Sequence, residues 1–255
     1  MNPISPLVFD LSIGRQKPES IRNRSAACPF CDRDNLEKIL AEEGSIILLM
    51  NKYPTLENTF QTVLIETDNC EDEFSTYSKE HIEKLLRFAI KHWYEMIDSG
   101  KYKSVLLFKN YGPFSGGSIH HAHMQIVGLE EQDYTEHVSL NQFEGIEIHK
   151  KNSVEFNIST KPRMGFFEFN ICMEDLEDLS ILTHYLQTAT HYVLHHFSAN
   201  CNSYNIFFYN IEEKIYVKVI PRFATSPLFV GYSIPQVARN IDEVAEKVRN
   251  IYFNK

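Results

Sequence analysis

The sequence predicts an α+β fold in which one unit of strands and a helix occurs twice. Three observations lead there. Short runs rich in β-branched and aromatic residues are bounded by turn formers, two long stretches repeat apolar residues at helical spacing, and the order strand, strand, helix, strand, loop, strand is met twice.

In chain order, residues 1–27 contain Pro and Arg, are weakly periodic, and read as an arm with little assignable chemistry. Residues 45–51 and 61–67 read as strands separated by a turn-forming segment. Ser78 reads as an N-cap, and behind it Ile82, Leu85, Leu86, Ala89, Trp93, Met96 and Ile97 recur at helical spacing up to a capping Gly100. Residues 104–110 form the next strand, followed by a loop and a histidine-bearing strand that ends near Val127. In the second half, residues 154–158 and 165–170 are strand-like, about 175–197 helical, and 203–210 and 214–222 strands again. Asn110 and Asn210 hold the same place in the two halves, each ahead of a connection and a final strand. A last helix carries Val237, Ile241, Val244, Val248 and Ile251 on one face.

Composition narrows the function classes. The chain has 255 residues, 43% of them apolar, which fills a sizeable core and argues against disorder. With a net charge of −9 and no long Lys or Arg run, no basic face for a nucleic-acid duplex is expected. The start, Met1-Asn2-Pro3-Ile4-Ser5-Pro6, has no basic stretch before an apolar one, and no apolar run approaches a membrane span. A soluble cytoplasmic protein is expected, with neither nucleic acid nor membrane as partner. Five cysteines, an odd number, suit a reducing compartment better than a disulfide framework.

Two constellations carry chemistry. Cys28-Pro29-Phe30-Cys31 has the short spacing of two metal thiolates, half of a closed tetrahedral zinc site. Cys70 is the expected third ligand, with His81 the alternative, and His121 the fourth. Cys172 and Cys201 read as buried thiols. The second constellation is Gly116-Gly117-Ser118-Ile119-His120-His121-Ala122-His123-Met124-Gln125, behind the small-residue loop that starts at Asn110. Unbroken alternation puts His121, His123 and Gln125 on one face and Ala122, Met124 and Ile126 in a core. Backbone N–H groups of the loop can close on a phosphate, and a neutral imidazole is a good nucleophile toward phosphorus.

Cys28-x-x-Cys31, Asn51 after a strand, Asn110-x-Gly112, Gly117-Ser118 and His121-x-His123-x-Gln125 together resemble the galactose-1-phosphate uridylyltransferase branch of the histidine triad superfamily. The resemblance covers most of the chain, since that family is itself a duplicated fold with one active half. It implies that His123 attacks the α-phosphorus of a nucleoside diphosphate compound and forms a covalent nucleotidyl-histidine. Gln125 and Ser118 would hold phosphate oxygens, Asn110 and Gly117 would line phosphate and ribose, and Asn51 would sit near the nucleoside. It also implies zinc on Cys28, Cys31 and His121 with a third position near Asn69 or Cys70, a nucleotide or nucleotide-sugar substrate, and it allows a homodimer. One departure bears on the acceptor. Phe229-Val230-Gly231-Tyr232 resembles a segment that contacts the sugar phosphate, but Pro227 stands where a lysine is expected, with Arg222 the available substitute.

The reading is therefore two histidine-triad-like halves around antiparallel sheet with a structural zinc: a catalytic half at 1–140 and a degenerate half at 141–255. The expected activity is nucleotidyl transfer by double displacement. The alternatives are a dinucleoside polyphosphate hydrolase or phosphorylase, and a zinc-stabilised nucleotide-binding protein without turnover.

Overall fold

The computed structural model describes residues 6–23, 25–197 and 201–254, and the chain start on which the leader reading rests lies mostly outside them. Two compact units are present: Met1–Asp72, Leu85–Lys109 and Gly117–His137 in the first, and Glu73–Lys84, Asn110–Gly116 and Val138–Lys255 in the second.

In the first unit, strands β1 (Ile39–Glu43), β2 (Ile46–Met50), β3 (Thr59–Ile65), β4 (Ser104–Tyr111) and β5 (His123–Leu129) lie in the order β1-β2-β3-β5-β4. All neighbours are antiparallel. A short helix α1 (Leu11–Gly14) stands in the N-terminal arm, and the long helix α2 (Lys79–Asp98) links β3 to β4. The apolar stripe of α2 is the predicted one, with Ile82, Leu85, Leu86, Ala89 and Trp93 buried. Trp93 also donates its indole N–H to the Val105 carbonyl at 2.9 Å. Gly100 ends the helix with φ +64°, where a Cβ would be strained.

The second unit repeats this plan with β6 (Gly145–Lys151), β7 (Val154–Ser159), β8 (Phe169–Met173), β9 (Tyr204–Ile211) and β10 (Lys214–Pro221) in the order β6-β7-β8-β10-β9. Helix α3 (Leu179–His195) lies between β8 and β9 in sequence, as α2 lies between β3 and β4. It buries Leu182, Tyr185, Leu186, Ala189 and Val193. Helices α4 (Pro227–Tyr232) and α5 (Ile241–Tyr252) close the chain.

Several elements differ from expectation. The edge strands β1 and β6 escape pattern reading because they are exposed and charged, as Glu42, Glu43, Lys150 and Lys151 show. The strand expected at 165–170 starts only at Phe169, and the residues before it form a turn whose Arg163 and Met164 N–H groups donate to the Glu168 carboxylate. Val237 is not on α5; it forms an isolated bridge with Phe166 and is half exposed.

The duplication holds with a shifted end. Phe108 pairs with Gln125 in the first unit and Phe208 with Val217 in the second. If Asn110 and Asn210 correspond, Val217 stands where Gln125 does, and Ile215 where His123 does. β10 therefore matches β5 alone, and not residues 118–127 as the repeated order suggests. The connection also differs: β9 and β10 join through Glu212 and Glu213, both at positive φ, whereas residues 112–122 separate β4 from β5.

Candidate functional site

Cys28 and Cys31 come from a tight turn in which Cys31 N donates to Cys28 O at 3.3 Å. Cys28 Sγ and Cys31 Sγ each lie 3.5 Å from His121 Nδ1. Cys70 joins them, and the ligand atoms of all four residues lie within 4.8 Å of one another. A tetrahedral zinc with ordinary Zn–S and Zn–N lengths places sulfur and nitrogen about 3.6 Å apart, so the donor set fits a structural site. His81, the alternative third ligand, lies outside this cluster, its ring 4.9 Å from Tyr77. The protonation of the thiols points the same way. Burial opposes ionisation of Cys28, but the neighbouring His121 ring and the Phe30 and Cys31 amides bring it down to about 6. Burial, then Cys28 itself, push Cys70 up to about 12. All three can be thiolates together only with a cation between them.

The orientation of His121 is set from behind. Its Nε2 lies 2.8 Å from the Thr67 carbonyl, which leaves Nδ1 for the cluster. Arg33 donates to the same carbonyl and, at 3.0 Å, to Ser45 O. Neither Arg33 nor Thr67 stands out in the sequence, because the contact spans three separate segments.

His121 is not part of the strand. β5 begins at His123, and Ala122 O accepts from Glu66 N at 3.2 Å just before it. The expected unbroken row of His121, His123 and Gln125 is thus interrupted: His123 and Gln125 share a strand face, and His121 turns to the thiols from the approach segment. On that face Ile65 pairs with His123 and Val63 with Gln125. Ile47, Leu49, Val63, Ile65 and Phe30 pack there as one cluster. The opposite face carries Met124 and Lys109, whose ammonium is 2.5 Å from Glu66 with both side chains fully buried.

His123 is 7% exposed, and its Nδ1 lies 2.8 Å from the carbonyl of His121. A carbonyl only accepts, so Nδ1 carries the hydrogen and Nε2 keeps its lone pair. Burial, outweighing the His121 carbonyl bond, lowers the imidazole pKa to about 4, with smaller contributions from the charges of Lys109, His121 and Lys17. Phe30, from the turn between the two cysteines, meets both rings edge-on, at 5.4 Å from His123 and 5.9 Å from His121. The cysteine turn and both imidazoles thereby meet at one side chain.

The N-terminal arm, expected to carry little chemistry, is tied to this site. Ser20 N and Ile21 N donate to Ser118 O at 2.8 and 3.2 Å, and the buried Ser20 hydroxyl accepts from His120 N at 2.9 Å. Lys17 donates to Thr55 Oγ1 at 3.3 Å, and burial lowers its pKa. Asn51 uses its side-chain oxygen to accept from Tyr53 N at 2.9 Å, shaping the turn after β2. Gln125 and Gly117 are half-buried.

Asn110, in the end of β4 that falls with the second unit, has its Oδ1 accepting from Asn205 at 2.6 Å, and Asn205 in turn accepts from Arg222 at 3.2 Å. Gly112, at φ +83°, leaves no room for a Cβ, which would lie 2.2 Å from Asn202 O. Pro227 is accounted for locally: it opens α4 behind the N-cap Ser226, a position where a missing N–H costs nothing.

This architecture, two antiparallel units of one strand order with a cysteine and histidine cluster beside β5, is a fold shared with solved uridylyltransferase and galt-like structures. The chain belongs to the DUF4931 family, described as a domain of unknown function, whose N-terminal domain matches residues 9–132 and whose C-terminal domain matches 135–253. A DUF4931 family protein from Bacillus cereus ATCC 10987 is 52% identical, with a TM-score of 0.78 over 86% of this chain and 100% of that one. A galt-like protein from Arabidopsis thaliana has a TM-score of 0.75 at 16% identity over 98% of this chain and 100% of its own. An ADP-glucose phosphorylase from Arabidopsis thaliana, solved with bound ADP-glucose, has a TM-score of 0.75 at 14% identity over 96% and 95% of the two chains. No curated protein matches the chain.

Proposed function

We propose that this protein is a zinc-containing nucleotidyltransferase that works by double displacement through His123. The observation that carries the reading is the fixed tautomer: a buried, neutral imidazole whose Nδ1–H is held by the His121 carbonyl and whose Nε2 is the basic nitrogen. The GalT-like fold and its likeness to an ADP-glucose phosphorylase support the class.

In the first step Nε2 attacks the α-phosphorus of a nucleoside diphosphate compound. An N–P bond forms, the P–O bond to the β-phosphate breaks, and the leaving phosphate departs with that electron pair. In the second step an acceptor oxygen attacks the same phosphorus, the N–P bond breaks, and Nε2 recovers its lone pair. Gln125 and the backbone of Gly117 and Ser118 would hold the phosphate oxygens, and the Lys17 ammonium adds a positive charge that acts on His123. Zinc on Cys28, Cys31, Cys70 and His121 would supply structural cohesion, holding the segment ahead of β5 in place. The five cysteines are unpaired with one another, which suits the cytoplasm.

The test is a donor panel of UDP-glucose, ADP-glucose and diadenosine tetraphosphate followed by intact mass. A cognate donor adds the mass of one nucleoside monophosphate, as an adduct labile in acid and stable in base. His123→Asn abolishes the adduct while zinc content is retained. Unchanged labelling in His123→Asn would overturn the assignment, and turnover of diadenosine tetraphosphate to water alone would make the protein a hydrolase.

A further inference from the structure

A cavity of about 370 Å³ lies within the second unit, lined by the first turns of α2, one face of α3, β6 and the end of the chain beyond α5. Its size is that of a small-ligand site. Lys79, Lys151, His149 and His184 line it against a single carboxylate, Glu83. That is a local reversal of sign in a chain of net charge −9. Glu83 stands 3.8 Å from Lys79, so it tempers one of the two ammoniums.

The walls are built rather than incidental. His149 is gripped on two sides: its Nδ1 is 2.6 Å from the Tyr185 hydroxyl, and its ring stacks on Phe253 at 4.3 Å and 11°. Burial raises the Tyr185 pKa to about 12, so the phenol stays protonated. Nε2 of His149 is then the nitrogen that can serve a ligand. Burial, and then the charges of His149, Lys79 and Lys151, lower the pKa of His184, so all four basic groups act on one space. Gathering like charges around a cavity destabilises a fold unless an anion joins them.

We propose that this cavity binds a small phosphate monoester, with Lys79, Lys151 and the two imidazoles serving the phosphate and the stacked Phe253 facing its organic group. Four basic groups match the three terminal oxygens and double charge of a monoester better than the two oxygens of a carboxylate.

The experiment is a titration of full-length protein with phenyl phosphate, read through the imidazole signals in carbon–proton NMR, with His149 and His184 assigned from their Gln variants. Both signals should shift and saturate with a Kd at or below about 1 mM. The double variant Lys79→Ala/Lys151→Ala, at two exposed positions, should keep its melting temperature and bind at least about ten-fold more weakly, the loss of one tenfold step in affinity. Benzoate should also bind at least about ten-fold more weakly than phenyl phosphate. No saturable shift, a shift confined to His123, undiminished binding in the double variant, or benzoate equal to phenyl phosphate would each overturn the proposal.

Discussion

At the scale of single residues, the site depends on where hydrogens sit. His121 and His123 are two positions apart and chemically identical, yet one turns Nδ1 to the thiols while the other turns Nδ1 to a carbonyl. On the proposed mechanism, reversing either would remove a metal ligand or the nucleophile. Lys17 is the cation that motif reading overlooked, because it stands alone in an arm without periodicity. On the proposed mechanism Lys17→Met should slow adduct formation about ten- to hundred-fold, within the range for removing one stabilising group from a phosphoryl site. Single-turnover mass spectrometry reads the rate. A rate within about two-fold of wild type would remove Lys17 from the mechanism.

At the scale of elements, two segments carry separable predictions. The cysteine turn, residues 28–31, touches the core through Phe30, so a metal held there would be coupled to packing. Cys70→Ser should lower zinc content well below one per chain and lower the melting temperature. A strong chelator should do the same to wild type, and full zinc content in Cys70→Ser by elemental analysis would exclude Cys70 as a ligand. The second segment is the end of α3, where His191 bonds the Tyr252 hydroxyl at 2.7 Å and its ring lies 4.4 Å from that of His195. Burial, then the charges of His195 and His196, lower the folded pKa of His191. The unfolded chain therefore takes up a proton near pH 6.5 that the folded chain refuses. This stability contribution is intact above that pH and declines as pH falls from about 7 toward the folded pKa. His191→Gln should show a shallower loss of melting temperature between pH 7.5 and 5.5, as approximate bounds of that window, and an identical slope would reject the assignment.

At the scale of the whole molecule, one unit is written twice, and the cysteine and histidine cluster belongs to the first copy. Ile215 and Val217 replace the polar face of His123 and Gln125, and both are buried. The second copy also lacks the long connection that carries Ser118 and His121, since β9 turns directly into β10. Placing the polar pair there, as Ile215→His/Val217→Gln in a His123→Asn background, should not restore labelling. It should destabilise the protein by several kcal/mol, about the cost of putting polar groups into an apolar core. Labelling regained in that triple variant would show that the strand face alone suffices.

The sequence by itself determined the periodic and the local features of this protein. The alternation of β5, the apolar stripe of α2, the cap at Gly100, the paired cysteines and the repeated strand order are all consequences of residue spacing over a few turns or strands, where sequence distance and spatial distance agree. Cys70, placed just after a strand, does join the cluster, and His81 lies outside it. Tertiary structure alone decided the rest. It broke the histidine row at His123, because the approach segment answers to Glu66, Thr67 and the thiols rather than to strand alternation. It brought Lys17 and Ser20 to the site, paired Lys109 with Glu66 beneath the sheet, and gathered four basic groups around Phe253. Each of these joins residues far apart in the chain through contacts that no local period encodes, so their partners became visible only when the backbone was folded.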